Sequence, residues 1–192
     1  MNAMTFLINT AFDLYIMVVL LRVWLQWARA DFYNPFSQFI VKATQPVVGP
    51  LRRMIPALGG LDLATVLFAY LLMVAKFVVL DLLTGGALTV SSGVFVFPAI
   101  ALIKAAGKLL FWVLILRAIL SWVSQGNNPV EYVFHQLTEP VCAPVRRIIP
   151  PIGGLDLSIL VIFIALQFIN MLIGDLVGPV WLDPLRLYLI SR

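Results

Sequence analysis

The chain has 192 residues, of which 62% are hydrophobic and only 11% are charged, with a net charge of +4. Soluble domains are about half apolar and about a quarter charged, which excludes a water-soluble fold of this length. The basic residues form no solvated stripe, so no nucleic-acid partner is expected. One histidine and one cysteine argue against a disulfide, a metal centre, another cofactor site or an enzyme.

Four segments are long and apolar enough to cross a membrane. A helix needs about 20 apolar residues to span the roughly 30 Å hydrocarbon core. A few spans cannot close a β-barrel, and lipid offers no partners for backbone groups, so the spans must be helical. The predicted spans cover residues 5–28, 61–83, 100–123 and 155–177. The fold class is therefore all-α and integral to the membrane.

The chain repeats one unit. Residues 44–63 and 138–157 share 13 identities in 20 positions, with Arg52 aligned to Arg146 at an offset of 94. LRVWLQW before the first copy likewise corresponds to LRAILSW before the second. We predict a first repeat over residues 1–95 and a second over 96–192, with connectors at 29–60 and 124–154 and a tail at 178–192. Because each unit holds two spans, both copies insert in the same orientation, unlike the inverted repeats of many transporters.

Lysine and arginine residues in short loops predict which side of the membrane each connection faces. The two connectors contain Arg29, Lys42, Arg52, Arg53, Arg146 and Arg147. The connection between the second and third spans, TGGALTVSSGVFVFP, contains no charge. We expect both connectors to face the cytoplasm and both termini to lie outside. Four basic residues count against this topology, two early in the third span and two at the C-terminus: Lys104, Lys108, Arg186 and Arg192.

Each connector begins with Asn-Pro, an N-cap followed by a residue suited to the first helical position. The helices predicted from Asn34 and Asn128 are amphipathic and are expected to end at Pro46 and Pro140. Their apolar faces comprise Phe36, Phe39, Ile40 and Ala43 in the first copy, and Val130, Val133, Phe134 and Leu137 in the second. Such a helix can lie in the membrane interface. Alternatively, it packs on the protein's own cytoplasmic face.

An arginine pair and a glycine pair follow each connector helix. The guanidinium groups of Arg52, Arg53, Arg146 and Arg147 suit contacts with lipid phosphates, although plain positive-inside anchoring is the alternative. The glycines, Gly59, Gly60, Gly153 and Gly154, allow a sharp turn into the next span. Asp62 and Asp156 then lie at the first turn of that span, where the helix dipole favours a carboxylate. Each can also cap the helix or pair with its own arginines.

Several charged residues lie inside the predicted spans. Asp13, Lys76 and Lys108 fall at a similar depth, and Asn170, the counterpart of Lys76, lies in the same layer. We predict a structural polar layer in which Asp13 pairs with Lys76 or Lys108. The alternatives are that the lysines extend independently to the headgroups, or that Asp13 relays protons or cations.

Two arginines of the spans and two aromatic residues of the tail are predicted to lie at the membrane surfaces. Arg22 and Arg117 occupy equivalent positions near the ends of the first and third spans. We expect both to extend toward the cytoplasmic interface. Trp181 and Tyr188 in the tail suit the outer interface.

The sequence resembles the YggT family of small bacterial membrane proteins, which is related to YlmG proteins of bacteria and plastids. The resemblance rests on NPFSQFIVKATQPVVGPLRRMIPALGGLD, NPVEYVFHQLTEPVCAPVRRIIPPIGGLDLS and the LRVWLQW and LRAILSW segments. It implies two repeats and an inner-membrane location. Family members are tied to osmotic-stress tolerance and potassium uptake, to cell or plastid division, and to cofactor assembly in plastids. Gln45-Pro46 replaces the usual Glu-Pro, which argues against an essential carboxylate there.

Two functions follow from these features. The first is a non-enzymatic scaffold or accessory factor whose connectors bind anionic lipid headgroups or a membrane protein partner. The second is a small ion transporter or channel component, for potassium in particular, acting as a homo-oligomer. The family resemblance links the first to osmotic-stress tolerance or cell division.

Overall fold

The computed structural model describes residues 2–57, 60–86, 92–123, 128–149 and 156–191. These residues form helices and no strand. The helices are α1 (Ala3–Trp27), α2 (Pro35–Met54), α3 (Leu63–Leu83), α4 (Gly93–Val123), α5 (Pro129–Ile148), α6 (Ser158–Val177), α7 (Pro179–Leu182) and α8 (Pro184–Ile190). Four of them, α1, α3, α4 and α6, are long and apolar enough to cross a membrane. The prediction of an all-helical chain with four candidate spans is confirmed.

The fourth helix starts earlier than predicted. α4 begins at Gly93 and continues through Pro98, whereas we placed the start of this span at residue 100. Pro98 lies in the second turn, so its missing N–H removes one hydrogen bond near the helix start and the helix persists. With 31 residues, α4 is about 46 Å long and exceeds the hydrocarbon core.

α3 is the most enclosed of the four long helices. It packs against α1, α2 and α4, and its buried side chains include Phe68, Met73 and Phe77. α6 lies at the edge of the bundle and exposes a row of large apolar side chains that includes Leu160, Ile164 and Phe168. Such a row suits contact with lipid, because lipid is as apolar as the side chains themselves.

The connector helices are longer than predicted. Neither Pro46 nor Pro140 ends its helix. α2 and α5 are each 20 residues long in total and contain a second proline, Pro50 or Pro144. The two prolines of a helix are four residues apart and therefore share one face. In α2 both prolines are exposed, so the carbonyls that lose their amide partners can meet polar surroundings rather than the core.

The buried face of α2 also differs from the predicted one. Phe39 is 62% exposed, whereas Ser37, Ile40, Thr44 and Val48 are buried. The buried residues of α5 are Val133, Phe134, Leu137, Thr138 and Cys142. In each helix the side that faces the protein therefore includes a threonine, and in α2 an apolar side chain is left outside.

The two connector helices meet each other. The rings of Phe36 and Phe134 lie 5.5 Å apart, and Asn34 Nδ2 donates to the carbonyl oxygen of Pro129 at 2.7 Å. Trp24, near the end of α1, donates its indole N–H to the carbonyl oxygen of Leu137 at 2.9 Å. The end of α1 and both connectors therefore share one end of the bundle.

The tail folds back onto the bundle instead of presenting its aromatic residues to an interface. Tyr188 is 4% exposed, and its ring lies 5.4 Å from that of Phe77 and 6.0 Å from that of Phe97. Trp181 is 9% exposed and donates its indole N–H to Asn170 Oδ1 at 3.0 Å. Neither aromatic side chain is presented to an interface as expected, because α3 and α4 enclose the Tyr188 ring and α6 binds the Trp181 indole.

Candidate functional site

Arg22 joins the end of α1 to the middle of α2. Its Nη1 atom donates to Thr44 Oγ1, and its Nη2 atom donates to Gln45 Oε1, each at 2.7 Å. The side chain is only 2% exposed. The expectation that Arg22 extends to the interface is wrong, because α2 folds over the end of α1 and supplies the acceptors that buried guanidinium donors need.

Arg52 turns inward to the residue that begins the next span. Its Nη2 atom lies 2.5 Å from Asp62 Oδ2, and Nη2 also donates to Gln26 Oε1 at 2.7 Å. Thr65 donates a further hydrogen bond to the same carboxylate oxygen. Burial of Asp62 acts to raise its pKa, but the hydrogen bonds from Arg52 and Thr65 outweigh burial and hold the pKa below its ordinary value.

The second copy builds a related cluster. Arg117 is 7% exposed and donates to Thr138 Oγ1, and its Nη2 atom lies 3.7 Å from Asp156 Oδ2. Arg146 pairs with Glu139 and places its Nε atom 3.6 Å from Asp156 Oδ2. Arg117, like Arg22, was expected to extend to the interface. This expectation is wrong, because Arg117 lies beneath its own connector helix.

In each arginine pair the first arginine forms an ion pair with a carboxylate of the protein, although its side chain is 41% exposed in the first copy and 28% exposed in the second. Arg53 and Arg147 are exposed, and each precedes an exposed apolar residue. Met54 is 82% exposed and Ile148 is 81% exposed. All four residues lie in the last turn of a connector helix, where the helix dipole favours a cation. The first arginine of each pair thus contacts the protein through an ion pair, and the second presents a charge beside an exposed apolar side chain.

A small cavity adjoins the first cluster. It has a volume of about 280 Å³, and its wall includes Arg22, Arg52, Gln26 and Gln45. The Nε atom of Arg22 is buried and has no hydrogen-bond partner within the described part of the chain. Two guanidinium groups and two amides at one cavity form a cationic, donor-rich surface that suits an anion.

Asp13 and Lys76 meet within the bundle. Lys76 Nζ lies 2.5 Å from Asp13 Oδ1, and Asn9 Nδ2 donates to Asp13 Oδ2 at 3.2 Å. Lys108 is exposed on α4, and Asn170 accepts the hydrogen bond from Trp181. The structure therefore brings two of the four residues of the predicted polar layer together and places the other two at a separate cavity.

The turns before α3 and α6 are described in part. Gly59, Gly153 and Gly154 lie outside the described residues. Gly60 has a φ of +88°, a conformation that glycine adopts without strain. The Asp62 carboxylate pairs with Arg52 and makes no capping bond to α3, whereas Asp156 Oδ1 accepts from the Ser158 amide at 3.0 Å at the start of α6.

Sequence comparison places the chain among known proteins. The CCB3/YggT family model matches residues 1–83 and 96–177. The chain belongs to the CCB3/YggT family. The YggT protein of Escherichia coli K12 is 49% identical over 175 residues, which is 91% of each chain. A Vibrio alginolyticus protein described by its place in the proC 3′ region is 71% identical over 182 residues, covering 94% of this chain and 98% of its own. No solved structure matches.

Family resemblance and charge patterns did not single out Thr44, Thr138 or Gln26. Thr44 and Thr138 receive the hydrogen bonds of the two buried arginines, and Gln26 receives one from Arg52. One signal was available, since the two threonines are aligned identities within the repeated string. Gln26 carries no such signal, because its counterpart in the second copy is Ser121.

The single cysteine and the single histidine lie in α5 of this CCB3/YggT chain. Burial raises the pKa of the fully buried Cys142 thiol, which keeps it protonated. Burial, followed by the charge of Arg117, lowers the pKa of His135. Within the described ranges, no group of three His, Cys, Asp or Glu residues could hold a metal ion.

Proposed function

We propose that the protein is a non-enzymatic scaffold or accessory factor of the bacterial inner membrane, whose two connector helices bind anionic lipid headgroups or a partner at the cytoplasmic face. The two segments matched by the family model support a duplicated unit over residues 1–95 and 96–192, with one connector in each. The role in osmotic stress or cell division that the family resemblance implies would depend on what these connectors hold.

One observation carries this proposal. Arg53 beside Met54 and Arg147 beside Ile148 are two exposed cation–apolar pairs at corresponding ends of α2 and α5. At a membrane surface the apolar side chain can enter the acyl region while the guanidinium group stays at the phosphates. A single exposed apolar side chain is ordinary on a surface helix, so its recurrence beside an arginine at corresponding positions of α2 and α5 is what supports the proposal.

The inner residues support the same role. Arg22 and Arg52 hold α2 to α1 and α3. In the second copy Arg117 of α4 donates to Thr138 of α5, and both Arg117 and Arg146 lie within 4 Å of the Asp156 carboxylate before α6. Their hydrogen bonds and ion pairs fix the position and the rotation of each connector relative to the spans. A fixed rotation keeps Arg53 and Arg147 on the outside, which a surface built to bind headgroups requires.

Nanodiscs of defined composition test the proposal. The wild-type chain should unfold at a higher temperature in discs that contain phosphatidylglycerol than in pure phosphatidylcholine discs. In the R53Q/R147Q variant the free energy of stabilisation by phosphatidylglycerol should be smaller by about 2 kcal/mol, because each basic residue near an anionic surface contributes about 1 kcal/mol. The control is K42Q/R186Q, which removes the same charge from two other exposed positions. Equal losses in the two variants would mean that only overall charge matters.

One observation favours the second candidate, a small ion transporter or channel component acting as an oligomer. The Asp13 side chain is 50% exposed within a candidate span, which is costly unless water, a second chain or an ion reaches it. Potassium flux into proteoliposomes tests this candidate. Flux that D13N abolishes would favour the transporter, and absence of flux in the wild type would favour the scaffold.

A further inference from the structure

A second cavity lies between α4, α6 and α7, with a volume of about 380 Å³. It is lined by residues 103–111 of α4 and 166–173 of α6. Along both helices these segments lie away from the ends that join α5, since α4 runs toward that connector and α6 runs from it. The cavity is therefore separate from the arginine clusters, and its function does not rest on the proposed role of the connectors.

Its wall combines apolar side chains with positive charge. Lys104 and Lys108, one turn apart on α4, both line it, as do Gln167 and Asn170 of α6. Apolar residues that include Phe111 form the rest of the wall. None of the described residues that line the cavity is acidic. An apolar wall with two ammonium groups and two amides is complementary to a molecule with an anionic head and an apolar chain.

Among the residues that the structure describes, neither ammonium group forms an ion pair with a carboxylate. Lys104 Nζ donates to the carbonyl oxygens of Trp181 at 2.9 Å and Leu182 at 2.5 Å, which are neutral acceptors. Lys108 is exposed on the same face of α4. Both lie within a candidate membrane span, where a cation without a counterion is costly. An anionic ligand would supply the missing negative charge.

Contacts with the tail hold this side of the cavity in place. Lys104 holds the end of α7, and the Trp181 indole N–H binds Asn170 Oδ1 at 3.0 Å. These bonds join α4, α6 and α7 around the opening. The position of Lys104 is thereby fixed before any ligand arrives, which lowers the entropy cost of binding.

From these features we infer that the cavity binds one anionic phospholipid from the leaflet opposite the connectors. The phosphate lies against Lys104 and Lys108, and an acyl chain lies along Phe111 and the apolar residues of α6. A phospholipid is the occupant that supplies both parts at once, and the cavity lies between two candidate membrane spans.

Gly107 offers a way to close the cavity without disturbing the fold. It lies between the two lysines and lines the cavity, and a Cβ atom at this position would meet no heavy atom within 4 Å. A leucine side chain at this position would occupy the space assigned to the lipid. An alanine would add one methyl group and leave most of the cavity open, so G107A is a matched control for G107L.

Native mass spectrometry of the full chain, titrated in neutral detergent with phosphatidylglycerol or phosphatidylcholine, tests the inference. The wild type should retain one more phosphatidylglycerol than G107L does, and G107A should match the wild type. K108Q should weaken that binding step about fivefold, the contribution of one basic residue near an anionic lipid. K42Q, which alters an exposed lysine of α2, should leave the step unchanged.

The opposite results would overturn the inference. It fails if G107L and K108Q retain phosphatidylglycerol as the wild type does, or if phosphatidylcholine binds at this step equally well. It also fails if G107L only separates a dimer, because a second copy of the chain would then cover the cavity. Loss of this lipid in R53Q/R147Q but not in G107L would assign it to the connectors and leave the proposed function intact.

Discussion

Asp13 of α1 and Lys76 of α3 form an ion pair across 63 positions of the chain, with the carboxylate half-exposed and the ammonium 8% exposed. It joins two helices that pack closely together. The geometry favours the pairing that we predicted with Lys76 over the one with Lys108. The role of this pair in stability remains a prediction.

Replacement of Asp13 by asparagine should destabilise the protein. D13N leaves the Lys76 ammonium without a counterion, and breaking a fully buried pair costs about 3–5 kcal/mol. Because Asp13 is half-exposed, we expect about 1–3 kcal/mol, measured by thermal unfolding in detergent. D13N/K76M should recover part of the loss. An unchanged D13N midpoint would mean that the lysines extend to the headgroups independently.

Replacement of Arg22 by lysine should loosen the first connector. A lysine cannot reproduce the two donors that serve Thr44 and Gln45. We expect R22K to lose about 1–3 kcal/mol, because the hydrogen bonds come from a charged group. R117K should lose a similar amount through Thr138. R53K, at an exposed position, is the control and should stay within about 0.5 kcal/mol of wild type. Equal stability of R22K and R53K would contradict the assigned role.

The Asp62–Arg52 contact should make stability depend on acid. The folded pKa of Asp62 lies below its ordinary value of 3.8, so its ionised form is favoured in the folded state. This contribution is fully present above that ordinary value and is lost as the pH falls through the folded pKa. The free energy of unfolding of D62N should therefore fall less than that of the wild type when the pH is lowered from about 5 to about 3. Parallel acid profiles for the two proteins would exclude Asp62 as a contributor.

The Cys142 thiol should resist modification in the folded protein. It is fully buried, and burial raises its pKa. A maleimide should therefore label the native protein in detergent far more slowly than the protein unfolded in dodecyl sulfate. C142S/I148C, with a cysteine at a position that is 81% exposed in the wild type, should react rapidly in both states. Fast labelling of native Cys142 would show that α5 opens readily.

The failure of maleimide to label Cys142 in whole cells would therefore not report topology, because burial alone prevents the reaction. An engineered cysteine at an exposed position is needed for that purpose. Serine at position 142 keeps an acceptor for Arg117, which now donates to Cys142 Sγ at 3.3 Å. C142S is consequently a suitable background for such variants.

The sequence predicted the long apolar helices better than it predicted the connectors. Length and apolar composition suffice for a span, since lipid forces helix on any chain that crosses it. Apolar composition could not predict which face of α2 is buried against the protein, because an apolar side chain near a membrane can contact lipid as well as protein. Phe39 is exposed and Ser37 is buried for this reason.

The arginines show a second limit of sequence reasoning. Depth along α1 placed Arg22 near a membrane surface, but nothing in the local sequence showed that α2 would fold over it. Pro46 was expected to end α2, because proline disfavours helix at the preceding residue. Packing of Ile40, Thr44 and Val48 against the bundle outweighs that local preference. The two acceptor threonines, aligned in the repeated string, were the available clue.

Site-directed labelling tests the central claim, that both connectors face the same side of the membrane. Met54 and Ile148 are more than 80% exposed at the ends of α2 and α5, and Ile190 is 69% exposed near the end of the tail. In the C142S background, cysteines at 54 and 148 should be protected from an impermeant maleimide in intact cells and labelled after lysis. A cysteine at 190 should be labelled in intact cells. Labelling of positions 54 and 148 from opposite sides would contradict the account.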